Sequence, residues 1–406
     1  MKKLSAIMLA LLLVFMSLPI VANAAPDCVY VGGVELTSGK YLAVGATSAT
    51  SAKPSGGYAY YNNGVLTLSS YEYEGEGVKY MFNPNTSESS YYKTCIFAEG
   101  DLVIYCEGES YLTNTDEDGE CISARGNVTF KAKDADSGVG LKGAYGIYAY
   151  SLTGSCEIRV VSGIIFAEVG YAGLGVEGYG AQNKGSVIIE GGTVAVEAEG
   201  YGAAIYGVDC GARFLMKGGM FYADAQTSGI YVDGYEKVDV YIDGGDFRVS
   251  GGQYSGVDTY SETDATEFHH NGGSAMIFGC ENAVTADRSY IQGSYFEASY
   301  DPENAVYEAA GLFSGSVSVS KSLVVLDGGF DQNYVKAEMP FTRGDVNDDG
   351  AIDQYDYILV KRHYFGTRIL TDAEMLAADA NNDGTINQYD YILIKRHYFQ
   401  TFTIEN

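Results

Sequence analysis

The sequence has no tryptophan, only six prolines and four histidines, and no CxxC pair. Scarce proline leaves few forced breaks in backbone hydrogen bonding, so long β ladders are open to the chain. Without a CxxC pair a structural zinc site has little to stand on. Basic residues are also short: 25 Lys and Arg face 53 Asp and Glu, a formal charge of −28. Nucleic-acid and anionic-membrane phosphates would repel such a chain, which argues against both as partners. The seven cysteines (28, 95, 106, 121, 156, 210 and 280) are odd in number and scattered, which is not a disulfide framework. Beyond residue 24 no apolar run approaches the roughly 18 residues that span a bilayer.

What is present begins with MKKLSAIMLALLLVFMSLPIVANAA. Lys2 and Lys3, the apolar stretch through Ile7 and Phe15, and the small residues Ala22-Asn23-Ala24 predict a signal peptide over 1–24, cleaved after Ala24. A membrane anchor is the alternative, disfavoured by the shortness of the apolar run. The closing QTFTIEN carries no wall-sorting pattern, so attachment to a surface is expected to be non-covalent.

From Pro26 to about Val335 the chain is rich in Gly, Tyr and Val, with short alternating runs at a fixed interval. The runs SVIIEGGTVAVEA, RFLMKGGMFYADA and VDVYIDGGDFRVS place glycine pairs at 191–192, 218–219 and 244–245, and SLVVLDGGFDQN places one at 328–329. Upstream, the runs beginning at Cys95 and Cys121 align in the same way. A period near 26 with short strands predicts a solenoid, read as a right-handed parallel β-helix of roughly ten coils over 25–335. A β-sandwich or propeller is the alternative; propeller blades repeat at about 40 residues or more. Cys95 and Cys121 then stack as small buried hydrophobes. Residues 26–94 are expected to start the coils or cap the open end. The polar stretch Tyr254–Gly273 and part of the segment after Tyr295 are expected to loop out.

After a short linker at 336–342, residues 343–406 contain two near-copies, GDVNDDGAIDQYDYILVKRHYFG and ADANNDGTINQYDYILIKRHYF. Each opens as an oxygen-rich calcium loop. In the first, Asp345, Asn347, Asp349, Asp353 and Asp356 take loop positions 1, 3, 5, 9 and 12, Gly350 makes the turn and Ala351 offers its carbonyl. In the second, Asp379, Asn381, Asp383, Asn387 and Asp390 do so, with Gly384 and the Thr385 carbonyl. Calcium takes six to eight oxygens at roughly 2.3–2.6 Å, which alternating side chains on a tight loop can supply. Position 12 is Asp where the common EF-hand has Glu, and no helix is expected to enter the first loop.

This duplicated loop and exiting helix resembles the type I dockerin domain of cellulosome-type proteins. The resemblance implies a small α-helical domain holding two Ca²⁺ ions and docking onto a cohesin module of a scaffoldin or cell-surface protein. It assigns cohesin contacts to Gln354, Tyr355, Lys361 and Arg362, and to Gln388, Tyr389, Lys395 and Arg396. The best-known pattern has small hydroxyl residues where this chain has Gln-Tyr. Identical residues in both copies imply docking in either of two orientations; the alternative is that Tyr355 and Tyr389 merely pack the repeats together. The expected setting is extracellular, on a cell surface or in a cellulosome.

For the solenoid three functions are open. Its composition resembles glycine-rich carbohydrate-binding β-helix proteins of anaerobic Firmicutes, which implies binding of a plant cell-wall polysaccharide. The 36 tyrosines offer flat faces to sugars, although strand-forming surface tyrosines would look the same and no set of contact tyrosines can be named. A polysaccharide lyase or glycoside hydrolase is the second reading; Arg125, Arg159, Arg213, Arg248 and Arg288 read as surface strand residues and no catalytic residue is assigned. An adhesin or spacer is the third. Glu267-Phe268-His269-His270 reads as a solvated loop tip; the alternative is a transition-metal site made by the His pair with Asp264 and Glu267, disfavoured because adjacent residues on a strand point apart.

Overall fold

The computed structural model describes residues 25–81, 91–152, 154–180, 183–292, 295–300, 313–319, 324–327, 334–338, 342–347, 349–370, 372–381 and 385–404. The expected signal peptide, Gly328–Gly329, and Asp383 with Gly384 lie outside them.

The alternating runs form strands, and each strand pairs in parallel with its counterpart one coil earlier. Three ladders result. One joins Thr94 to Glu120, Tyr145, Ala172 and Tyr201. A second carries Leu102, Val128, Ile158, Val187, Phe214, Val240 and Phe268. A third carries Leu112, Leu141, Ala167, Val196, Ala223, Val249 and Ile277. The chain is therefore mainly β, a solenoid of about seven turns over 94–285 followed by the helices of the C-terminal segment. Parallel ladders of this kind exclude the sandwich and the propeller.

Successive side chains on a strand point to opposite faces, so every second residue is buried. The inward rows make one continuous core in which Phe214, Phe221, Phe247, Phe268 and Phe296 are fully buried. Phe221 and Phe247 stack at 5.8 Å between ring centroids. All seven cysteines are free thiols and all but Cys28 are buried. The neighbouring Cys121 thiol and burial hold the Cys95 thiol well above its ordinary range, as expected of stacked neighbours.

The glycine pairs make one corner. Gly163, Gly192, Gly219, Gly245 and Gly273 all have φ between 73° and 88°, and each carbonyl accepts the N–H that follows the corner one coil later, for example Met220 N to Gly192 O at 2.8 Å. A Cβ on Gly219 would stand 2.4 Å from the Gly192 oxygen, so backbone packs on backbone there and side chains are excluded.

The count of ten coils is not reached because the N-terminal strands run antiparallel. Cys28–Val31 pairs with Val34–Thr37 and with Tyr91–Ala98, and Tyr58–Asn62 with both Lys40–Ala43 and Val65–Ser69. Parallel pairing starts where Val65–Ser69 meets Leu102–Glu107. The cap thus covers the open end of the ladder. At the other end Tyr334–Glu338 pairs antiparallel with Tyr295–Tyr300. Residues 336–338 of the expected linker therefore lie in a strand.

One expectation about insertions is corrected. Within 254–273 the structure has strands Val257–Ser261 and Glu267–His270, both in register with the preceding coil. Tyr295–Tyr300 is likewise a strand, parallel to Ser274–Gly279, and the remainder of the segment after it, 301–308, lies outside the described residues. Polar side chains were no sign of a loop, because the outer face of each strand is wet and Phe268 and His270 fill the inner one.

The C-terminal segment has a separate small core of Val346, Val360, Leu370, Ala377, Ala378, Ala380, Ile394 and Ile404. Around it lie helices α1 (Gln354–Tyr364), α2 (Asp372–Ala378) and α3 (Gln388–Tyr398). No helix among the described residues is long and apolar enough to cross a membrane.

Candidate functional site: two acidic loops and the outer faces of the solenoid

Each acidic loop ends as the cap of a helix. Asp353 is the N-cap of α1 and accepts Tyr355 N at 2.7 Å; Asn387 does the same for α3, accepting Tyr389 N at 2.8 Å. Three residues on, the position-12 aspartates complete capping boxes. Asp356 accepts Asp353 N at 2.8 Å on one oxygen, and Val346 N at 2.7 Å and Asn347 N at 3.0 Å on the other. Asp390 accepts Asn387 N at 2.8 Å and Asn381 N at 3.3 Å. One carboxylate therefore ties the start of each loop to the start of its helix. Asp345 holds the turn, accepting Gly350 N at 2.9 Å and Asp349 N at 3.2 Å, with Gly350 at φ +89°.

The donor set is oxygen throughout, as a hard cation requires. Asp356 and Asp390 are fully buried, and burial raises both carboxyls above their ordinary range. Among the described residues neither has an ion-pair partner, and a bound cation would offset that desolvation. Among the described residues no three acidic, His or Cys side chains form a cluster that could hold a metal ion, although Asp345 lies near enough to Asp356, and Asp379 to Asp390, to raise its carboxyl further. Asp345, Asp349, Asp353, Asp356 and Asp390 accept backbone N–H groups of the loops or the helix starts. The residue types fit calcium, while the loops stand in a hydrogen-bonded arrangement.

The residues assigned to cohesin contact fall in two groups. Gln354, Tyr355 and Arg362, with Gln388, Tyr389, Lys395 and Arg396, are exposed. Lys361 is half-buried; it donates to the Tyr357 hydroxyl at 3.1 Å, and both Lys361 and Lys395 stand over the Tyr357 ring. Contacts between the repeats include the Tyr357 and Tyr391 rings at 5.9 Å, the Tyr364 and Tyr391 rings at 5.8 Å and the Tyr364 hydroxyl donating to Gln388 at 3.4 Å, whereas Tyr355 and Tyr389 are exposed. The sequence reading passed over His363 and His397. Their Nδ1 atoms accept Leu370 N at 3.2 Å and Ile404 N at 3.0 Å, fastening the chain after each helix. Their identical place in both copies was the available signal.

Each solenoid sheet has its own outer chemistry. On the first, Tyr80, Phe97, Tyr148 and Tyr150 form an aromatic cluster over the strands. Glu120 is buried beneath it, takes a 2.7 Å hydrogen bond from the Tyr80 hydroxyl and is pushed up to about 7 by burial. The second sheet carries an ion ladder: Asp239, fully buried, is met by Lys237 and Arg213 at 3.1 Å and by Lys184 at 3.7 Å. Arg288 reaches Glu267 at 3.8 Å in the same row, so Arg213 and Arg288 belong to one patch, which their spacing in sequence hid. The stretch read as a loop tip sits in this sheet. His269 is stacked between Tyr241 and Tyr290 at 4.4 and 4.6 Å, and His270 is buried and pushed down to about 4 by desolvation. His269 and His270 point to opposite faces and cannot share a metal.

Residues 343–398 match the dockerin type I domain family. The match covers both loops and all three helices, and the C-terminal segment is a dockerin type I domain appended to a β-solenoid. No curated protein and no solved structure matches the chain. Dockerin type I domains are generally calcium-binding, take a cohesin as partner, and typically belong to extracellular cellulosome components.

Proposed function

We propose that the chain is an exported cellulosome-type component, led out by a signal peptide at 1–24. Its dockerin holds two calcium ions and docks onto a cohesin of a scaffoldin or cell-surface protein, while its solenoid binds a plant cell-wall polysaccharide. Asp345, Asn347, Asp349, Asp353, Asp356 and the Ala351 carbonyl would hold one ion. Asp379, Asn381, Asp383, Asn387, Asp390 and the Thr385 carbonyl would hold the other. The ion supplies charge neutralisation; the chain supplies the loop hydrogen bonds that set the first turn of α1 and α3, and with it the exposed residues beside each cap.

One observation carries this reading: two loops with the same caps present Tyr355 and Tyr389 to solvent, 58% and 61% exposed, with Gln and Arg beside them. Exposed aromatics of this size next to Arg are typical anchors of a protein interface. Their duplication supports docking in two orientations. The test is binding of the exported protein to a panel of type I cohesins, with calcium and with excess chelator. Calcium-dependent capture by at least one cohesin is expected; capture that survives chelation overturns the calcium role. Retention of the same protein on cell-wall polymers, with released sugar measured in parallel, tests the solenoid half.

A further inference from the structure

The outer face of the third sheet has a regularity that the fold does not need. One outward row, read coil by coil, is Tyr111, Gly140, Phe166, Ala195, Tyr222, Arg248 and Met276. A large apolar side chain stands on every second coil, and Gly, Ala and Arg fill the coils between. Tyr111, Phe166 and Tyr222 are 50%, 43% and 41% exposed. Among the described residues none of the three makes a ring–ring contact, unlike the tyrosines of the first sheet and the Tyr241–His269–Tyr290 stack; the Tyr111 ring leans over Gly140 and its hydroxyl donates to Glu109 at 2.9 Å. Leaving half of each ring in water forgoes burial worth about 1 kcal/mol each.

Depressions lie between the ridges. One of about 230 Å³ opens over Gly140 between Tyr111 and Phe166, and one of about 250 Å³ surrounds Arg248 between Tyr222 and Met276. Beside this row runs a second, Lys142, Glu168, Glu197 and Asp224, which lines a groove of about 860 Å³. The face is thus a stepped apolar strip with a largely acidic flank.

We propose that this strip is the polysaccharide-binding site of the solenoid, and that its ligand is an extended, uncharged, β-1,4-linked glycan lying along the solenoid axis. Strands are about 4.8 Å apart, so rings on alternate coils recur at about 9.6 Å. An extended β-1,4-linked chain turns the same face outward at every second sugar, and the axial C–H bonds of that face form a flat apolar surface that packs on an aromatic ring. The acidic row accepts hydrogen bonds from ring hydroxyls along one side, and repels a polyuronate. This rests on the polysaccharide reading above and adds the face, the residues and the class of polymer.

The test uses the full mature protein with calcium, in affinity gels containing a soluble β-1,4-glucan, a β-1,4-mannan, a β-1,3-glucan or polygalacturonate. Retardation by a β-1,4-linked polymer, little changed by salt, is expected, with none by polygalacturonate. The triple variant Tyr111→Ala/Phe166→Ala/Tyr222→Ala should lose at least about tenfold in affinity. All three side chains are exposed, so an unchanged unfolding transition is expected and separates lost binding from lost fold. A register variant, Tyr222→Ala with Ala195→Tyr, keeps the number of rings but shifts one by a coil; it should lose most of the binding too. If no polymer retards the wild type, the polysaccharide reading fails and this site with it. If a polymer binds but the triple variant binds equally, the reading survives and the site is elsewhere. If the register variant binds as the wild type does, or polygalacturonate is the preferred polymer, the assignment of ligand class is wrong. If the wild type self-associates through this face and binds no glycan, the strip is a contact between copies.

Discussion

Two residues show how much local chemistry depends on what lies one coil away. Gly219 sits at the corner where the chain has φ +80° and where an added Cβ would stand 2.4 Å from the Gly192 carbonyl oxygen. Gly219→Ala should cost about 2 kcal/mol or more, from left-handed strain together with the clash, seen as a lowered solenoid unfolding midpoint. Glu120 makes a pH prediction. Burial raises its folded carboxyl to about 7, above an unfolded value near 4.3, so the folded state holds the proton more tightly between these limits. Stability from this group is full below about pH 4 and is lost as pH rises towards about 7, by an order of about 3 kcal/mol. Glu120→Gln should flatten that fall, measured as the difference in urea midpoint between pH 5 and pH 8 against wild type. The glycine was legible in the sequence, since its pair recurs at a fixed step. Glu120 was not: the Tyr80 that covers it lies 40 residues away on an antiparallel strand of the cap.

Among the elements, the two acidic loops and their exiting helices could be read directly, because the loop spacing, the turn glycine and the capping box share the same few residues. Strand Glu267–His270 could not. Two consecutive histidines conceal the alternation of faces, and His270 occupies a row whose neighbours are Ile242 and Ile291. It is neutral when buried, so its folded value of about 4 lies below the unfolded value near 6.5, and its contribution is lost as pH falls through that window. His270→Ile matches the aliphatic row and should leave the midpoint at pH 7 unchanged or raised, while a fall of more than about 2 kcal/mol would show that its hydrogen bond to Gly273 matters more than packing. In the dockerin, the helices carry the redundancy. Changing Gln354, Tyr355, Lys361 and Arg362 to Ala should weaken cohesin binding by less than about tenfold, because α3 can take the partner. Changing the equivalent four residues as well should abolish it. A large loss from the first set alone would mean that one orientation dominates.

At the scale of the whole molecule, the period near 26 announced a solenoid, but not how many coils it has or which face is left bare. Coil number depends on where strands turn antiparallel, and the exposed aromatic row emerges only once the register aligns residues that are some 55 apart in sequence. The two parts also differ in what holds them. The solenoid rests on a continuous apolar core and ladder hydrogen bonds, whereas the dockerin gathers carboxylates around two loops and a core of only a few side chains. Chelation should therefore loosen the dockerin while leaving the β-sheet circular dichroism of the solenoid intact. The most direct measurement is calorimetric titration of the mature protein with a type I cohesin, in calcium and again in excess chelator. The account predicts tight one-to-one binding in calcium and no detectable heat without it; equal affinity in both would contradict it.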